Sequence, residues 1–431
     1  MVKPPLRVAV AGLGTVGAGV VRLLRQNADL IALRGGRELA LAAVSARDRG
    51  RERGLDLAGV RWFADAVEMA ADPAIDIVVE LIGGADGIAR SVVETALAHG
   101  KPVVTANKAL MARHGSVLAQ FAEAKGAGLA FEAAVAGGIP IIKTLREGLA
   151  ANTFTRIYGI LNGTCNYILT TMRESGRDFA DILAEAQRLG YAEADPSFDI
   201  DGIDAAHKLA ILSSVAFGSE VDFAGIHVEG IRHISALDIA FAADLGFHIK
   251  LLGLARLTER GIEQRVHACM VPQAAPIAHV EGVLNAVVAE GDFAGRVLVQ
   301  GRGAGAGPTA SSVVADLLDI AAGRHTPTFA VPASALRRIP ASPMLHHQGA
   351  YYIRLMVFDR PGVIADITAA LRDELVSLES MIQRGRAPGE AVPVVLTTHI
   401  TEEAAMRRAL ERIGGLDSVL EPPRMIRIED L

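Results

Sequence analysis

A glycine loop set between a strand and a helix constrains this chain more than any other feature. Residues 6–11 form a short apolar run rich in β-formers, and Gly12-Leu13-Gly14-Thr15-Val16-Gly17 follows at once. Helical spacing then begins with Val20, Val21, Leu23 and Leu24. Gly-x-Gly-x-x-Gly alone is a common turn, but between a strand and a helix it is the fingerprint of a dinucleotide site. Gly12 permits the tight turn, Gly14 lets backbone approach a pyrophosphate, and Gly17 lets helix and strand pack closely. The helix N-terminus then faces the phosphates.

The pattern repeats downstream. Residues 39–44, 76–82, 101–105 and 128–132 have strand character, and 91–99 and 109–125 have helical character between them. Strands alternating with helices over this length predict an open parallel sheet, a Rossmann-type fold. Ligands bind such sheets at the carboxyl ends of the strands, where the chain places Arg47, Gly83 and Lys108. Arginine after the second strand suits the 2′-phosphate of NADP, while the neighbouring Asp48 leaves NAD open. Lys108 is either a ligand group or a surface lysine at a helix start. The glycine-rich turn after Glu132 offers one carboxylate among carbonyls, the donor set of a hard cation, although a plain turn has the same composition.

A second concentration of chemistry lies at residues 190–212. Glu193, Asp195, Asp199, Asp201 and Asp204 crowd a dozen positions, and Lys208 follows. Helical spacing from Gly202 onward puts Asp204 and Lys208 on one side of a helix. An exposed ion pair is one reading. Proton transfer in a sheltered pocket is the other, since Leu-Ala-Ile-Leu follows the lysine.

The remaining segments complete the outline. Residues 226–234, 249–257, 262–271 and 283–289 look strand-like and predict an antiparallel sheet carrying the Lys208 helix on one face. A second glycine-rich turn, around Gly305, leads into a helix and implies close backbone approach to the cofactor or to the first sheet. Pro, Ser and His mark a linker at 326–349. Beyond it a βαββαβ order predicts a small ferredoxin-like domain. The histidines at 207, 227, 233, 248, 267 and 279 lack ligand spacing and are expected to be structural.

With 431 residues, two or three domains are expected. A net charge of -6 argues against nucleic acid. Two cysteines, Cys165 and Cys269, make no disulfide framework and suit a reducing, cytoplasmic setting. No apolar run approaches a membrane span.

The Gly12–Gly17 loop, Val103-Val-Thr-Ala-Asn-Lys108, Gly159-Ile-Leu-Asn-Gly-Thr-Cys-Asn166, the 190–212 stretch and Asp359-Arg-Pro-Gly-Val363 together resemble homoserine dehydrogenase with a C-terminal ACT domain. The resemblance implies a dinucleotide-binding domain at 1–135 completed by 305–325, a substrate and dimerisation domain at 136–304, the linker, and an ACT regulatory domain at 350–431. It implies reversible NADP- or NAD-dependent interconversion of L-homoserine and L-aspartate 4-semialdehyde, in threonine, methionine and isoleucine biosynthesis. Lys208 is then the acid/base, beside Asp204; Glu193, Lys108 and Asp204 bind substrate. Glu132 with the carbonyls of Val135, Gly137 and Ile139 would hold a monovalent cation such as sodium. Asp359, Pro361, Gly362 and Val363 would take an amino-acid effector, threonine, and a homodimer or homotetramer is implied. The alternatives are another amino-acid aldehyde oxidoreductase of this architecture, or a non-catalytic amino-acid sensor.

Overall fold

The computed structural model describes residues 3–384 and 389–431. Its first six strands are β1 (Leu6–Ala11), β2 (Leu39–Ser45), β3 (Arg61–Phe63), β4 (Ile77–Glu80), β5 (Val103–Thr105) and β6 (Leu129–Ala130). They form a parallel sheet in the order β3-β2-β1-β4-β5-β6. Helices cover both faces, so Val8, Ala9, Val10, Val78 and Val79 lie on different faces and are all buried. The order reverses between β1 and β4, which opens a crevice at their carboxyl ends. The helix Ala306–Ala322, far along the chain, returns to this sheet and packs on the helix Thr15–Gln26. A Cβ at Gly19 would meet the Ala306 carbonyl oxygen at 2.6 Å, so glycine is what allows that approach.

Eleven further strands build a second sheet: β7 (Phe154–Ile160), β8 (His227–Val228), β9 (Phe247–Thr258), β10 (Gly261–Pro272), β11 (Leu284–Gly291), β12 (Gly295–Arg302), β13 (Gln348–Phe358), β14 (Leu378–Gln383), β15 (Ala391–Thr398), β16 (Thr401–Glu402) and β17 (Arg424–Ile428). Its main path runs β12-β11-β7-β9-β10-β17-β13-β15-β14. The helix Ile203–Phe217 lies across β7, β9 and β10, buried from Asp204 to Val215. At Gly253 on β9 a Cβ would come within 2.8 Å of Leu161, so the strand makes room for the side chains beneath this helix.

The C-terminal strands follow the ferredoxin-like order, β17-β13-β15-β14, with the helices Val363–Asp373 and Glu403–Gly414 over one face. Parallel pairing of Cys269 with Arg427 and Met270 with Ile428 joins this unit to β10. The 326–349 stretch is packed down: Phe329 is fully buried, with its ring centroid 5.2 Å from that of Phe131.

The strand expected at 226–234 shrinks to His227–Val228. After Glu229 the chain leaves β10, and the Ile231 N–H donates to the Ile200 carbonyl at 2.9 Å. A helix at Ala236–Asp244, absent from the expectations, starts at a capping box formed by Ser235 and Asp238. Among the described residues, no helix is long and apolar enough to cross a membrane.

Candidate active site

Asp204 is the hub of the site. It sits in the first turn of the Ile203–Phe217 helix and is 3% exposed. One carboxylate oxygen meets Lys208 Nζ at 2.7 Å, and the other meets Lys108 Nζ at 2.8 Å. Lys208 also donates to the Leu161 carbonyl at 2.7 Å, and Asn162 Nδ2 donates to Asp204 at 2.8 Å. Burial alone would raise the Asp204 carboxyl, but the two ammoniums hold it well below the usual carboxylate range. Burial pushes Lys208 down; Asp204 opposes this and the second ammonium, Lys108, adds to it. Lys108 is also disfavoured by burial, yet Asp204 outweighs that and keeps it above the ordinary lysine range. Two cations of opposite tendency therefore share one anion. The exposed-pair reading of Asp204 and Lys208 does not survive their burial.

The wall around them is built from the start of the helix Gly163–Ser175. Asn162 caps that helix through its side-chain oxygen, which accepts from the Cys165 N–H at 2.8 Å. Its amide nitrogen joins Asp204 to Asp199, donating to the latter at 2.8 Å. Thr164 Oγ1 has two acceptors within reach of its one hydrogen, the Tyr191 carbonyl at 2.8 Å and Asp199 at 3.1 Å. Asp199 thus ties the short helical turn Ser197–Ile200 to the pocket. Cys165 is fully buried and burial pushes its thiol well up, which removes it as a nucleophile.

Lys108, Asp199, Asp204 and Lys208 line a cavity of about 640 Å³ that reaches Val16 of the glycine loop and Gly303–Gly305. A second cavity, about 800 Å³, runs along Gly12–Gly14, Ala46–Asp48, Arg51, Arg53 and Leu81–Ile82. The fingerprint glycines behave as their spacing requires. A Cβ at Gly12 would lie 2.4 Å from the Leu81 carbonyl oxygen, and one at Gly17 2.0 Å from that of Gly12, whereas one at Gly14 would meet nothing within 4 Å. That open side is where a pyrophosphate fits. Gly83 and Lys108 are positioned by buried Glu80 and Thr105. Glu80 accepts from the Ile82 and Gly83 N–H groups and from Thr105, whose own oxygen accepts from the Asn107 N–H.

Glu132 is buried next to the N–H groups of Ile142 and Lys143, which donate to its two oxygens at 2.9 and 2.8 Å. Burial and the neighbouring Asp316 push its carboxyl up to about 7. The Gly137 carbonyl accepts from Ser312 and that of Ile139 from the Ile141 N–H. A buried carboxyl that carries one backbone N–H on each oxygen, with lone pairs to spare, has the oxygen chemistry a hard cation takes. Glu193, by contrast, is exposed, and only its backbone carbonyl is engaged, by Gln187, among the described residues. In the C-terminal unit Gly362 takes φ +93° before the helix Val363–Asp373, with Pro361 exposed beside it. The Asp359 N–H donates to the Glu390 carbonyl at 2.9 Å.

Sequence reading missed Asn162, Thr164, Asp199 and Glu80 as site builders. A residue that caps a helix and one that ends a strand look structural until the fold brings them to one cavity. His267, Cys269 and Glu429 come within 4.8 Å of one another, but both Glu429 oxygens are taken by Arg265 and Arg427 stands beside them. Glu429 is thus committed to Arg265, and a metal ion there would have to displace that pair.

Family models match in three blocks: homoserine dehydrogenase, NAD binding domain, over residues 12–132; homoserine dehydrogenase over 140–318; and ACT domain over 351–415. Homoserine dehydrogenases from Pseudomonas aeruginosa and Neisseria gonorrhoeae are 46% and 45% identical, each match covering 99% of both chains. A crystal structure of a homoserine dehydrogenase from Thiobacillus denitrificans superimposes with a TM-score of 0.94 at 47% identity, covering 99% of this chain and 98% of that one. A hyperthermophilic archaeal homoserine dehydrogenase in complex with NADPH matches with a TM-score of 0.64 at 28% identity, over 75% of this chain and 99% of that one.

Proposed function

Because this chain belongs to the homoserine dehydrogenase family and is an oxidoreductase of that kind, we propose that Lys208 exchanges the proton in its reaction. The observation that carries this is Asp204, buried between Lys108 and Lys208 at the wall of the cavity. A nicotinamide cofactor held in this cleft would supply the hydride acceptor for C4 of L-homoserine, whose alcohol becomes the aldehyde of L-aspartate 4-semialdehyde. The hydroxyl proton passes to neutral Lys208 Nζ. In reverse, the ammonium returns it to the oxygen on which negative charge develops. Burial lowers Lys208 towards the pH at which both forms are available, and the Leu161 carbonyl fixes the direction of its remaining N–H. Lys108 and Asp204 bind substrate, and Glu193 pairs with its α-ammonium when the Gly190–Pro196 loop folds over the cavity that Gly190 and Tyr191 already line.

NADP is the favoured cofactor. Arg47, Arg51 and Arg53 all line the adenosine end of the cleft. Asp48 is spent on its own loop, accepting from the Gly50 and Arg51 N–H groups. Leu13, Thr15, Val16 and Gly305 complete that contact set. Glu132, Val135, Gly137 and Ile139 hold a monovalent cation. The Asp359–Val363 turn binds threonine as a feedback inhibitor, and the 136–304 domain forms a homodimer or homotetramer in the cytoplasm. Homoserine oxidation assayed with NADP and with NAD, with and without threonine, tests these readings together. No reduction of either cofactor would overturn the mechanism. Equal rates in threonine would overturn only the effector.

A further inference from the structure

Glu229 on the strap after β8 stands between the C-terminal unit and the active site. On one side, Arg427 of β17 is 1% exposed and grips both Glu229 oxygens, at 2.9 and 3.0 Å, while also bonding Glu403 of its own unit. On the other side, the strap touches the catalytic turn at four points. The Val228 side chain and the Glu229 carbonyl lie 3.1 and 3.4 Å from where a Cβ on Gly202 would sit, at the start of the Lys208 helix. A Cβ at Gly230 would fall 2.2 Å from the Ile200 carbonyl oxygen. The Ile231 N–H donates to that same carbonyl at 2.9 Å. Arg232 forks onto the Asp201 carboxylate and reaches Ser197 Oγ at 2.9 Å. The turn so gripped carries Asp199, which Asn162 links to Asp204.

We propose that residues 228–232 transmit the position of the C-terminal domain to the substrate end of the active site, with Glu229 and Arg232 as positioning residues. Glu229 touches neither cavity residue nor cofactor cleft; it acts through the backbone it anchors. When the β17 edge moves, the bidentate Arg427–Glu229 pair moves the strap. Because Gly202 and Gly230 leave no slack, the Ser197–Asp201 turn moves with it. A guanidinium fork held at both oxygens transmits direction as well as distance, which a single contact would not. The inference rests on Asp204 and Lys208 being the reacting end of the site.

The test uses the full-length enzyme. Glu229→Gln leaves Arg427 paired with Glu403, so no buried charge is orphaned and the fold is retained. Its expected signature is a KM for homoserine raised about five- to tenfold with the KM for NADP changed less than about twofold, because the strap reaches the substrate end alone. Arg427→Lys keeps the charge, loses the fork, and shifts the same constant. Tyr352→Phe, which removes a hydrogen bond to Asp238 elsewhere on the C-terminal seam, leaves both constants within about twofold. Combining Glu229→Gln with Asp201→Asn, which breaks the Arg232 grip, gives no more than the larger single effect if the two act through one strap. Multiplying effects, equal shifts in both KM values, or a matching response from Tyr352→Phe would overturn the proposal. Lys208→Ala run alongside separates the two readings: an active Lys208→Ala enzyme refutes the mechanism, whereas an inactive one with an unmoved Glu229→Gln refutes the strap alone.

Discussion

At the cavity, one carboxylate serves two ammoniums; at the seam between β10 and β17, each guanidinium is served by two carboxylates. Asp204 lies between Lys108 and Lys208. Arg427 lies between Glu229 and Glu403, and Arg265 between Glu263 and Glu429. Both clusters are buried apart from half-buried Lys108 and Glu229, and both contain strongly shifted groups, Glu429 for example being held at about 2 by Arg265 against the cost of its burial. Burial and shifted pKa values therefore do not separate a reacting site from a structural one. Saturation does. Arg427 spends four hydrogen bonds on two carboxylates, leaving little for a ligand. Lys208 spends two of its three N–H groups and stands at a cavity wall with the third.

The largest expected effects fall on opposite properties. Lys208→Ala removes the proposed proton carrier, so kcat for homoserine oxidation falls about 10²- to 10⁴-fold, while Asp204 keeps Lys108 as its partner and the loss of stability stays below that at the seam. An unchanged kcat would place the seam and the cavity in one class and end the contrast. Arg265→Met does the reverse. It strands Glu429 in the interior, leaves Glu263 to Arg256 and His347, and destabilises the fold by about 3–5 kcal/mol, read from urea unfolding, with turnover per folded molecule kept within about twofold.

A smaller effect tests the cofactor cleft. Arg47→Ala raises the KM for NADP about tenfold, roughly 1.4 kcal/mol, and leaves that for NAD unchanged. An equal change for both would deny that Arg47 meets a 2′-phosphate. Asp204→Asn then sharpens the electrostatic half of the comparison. Asp204 opposes the lowering of Lys208, so without its charge the lysine titrates at still lower pH. The acidic limb of the homoserine-oxidation profile, where the base loses its proton, should shift to lower pH by on the order of one unit. A shift to higher pH would mean another group is the base.

Local patterns made the first sheet legible. Continuous apolar strands, a glycine loop and alternating helices specify a parallel sheet without reference to distant residues, and the observed sheet is parallel, with the short edge strand Arg61–Phe63 added. Asp204 and Lys208 were legible as neighbours, because helical spacing alone brings them together. Their burial was not, since it depends on β7, β9 and β10 arriving beneath the helix. Asn162 was readable only as a cap; its link to Asp199 and Asp204 spans 37 and 42 residues. The strand expected at 226–234 failed for a related reason. Ile226, Ile231 and Ile234 are apolar because they are buried, but Gly230 lets the backbone turn onto Ile200 instead of continuing along β10. The Ser235-x-x-Asp238 capping box that starts the next helix was in the sequence and unread.

The smallest effect concerns Glu132, a buried carboxylate that belongs to neither class. It accepts two backbone N–H groups, but burial and the nearby Asp316 still leave it pushed up to about 7 from an ordinary value of 4.5. A carboxyl whose folded pKa is raised is most favourable to folding when protonated. Its contribution is full below about 4.5 and is lost as pH rises through about 7. A cation on the ionised carboxylate would offset that loss. The unfolding free energy from urea titration should therefore fall between pH 6 and pH 8 in tetramethylammonium chloride, too large an ion for the site, by on the order of 1 kcal/mol. In sodium chloride at the same ionic strength the fall should shrink, and Glu132→Gln should erase the difference between the salts. If the two salts give the same curve in the wild type, no cation sits at Glu132, and its burial resembles that of the seam more than that of the cavity.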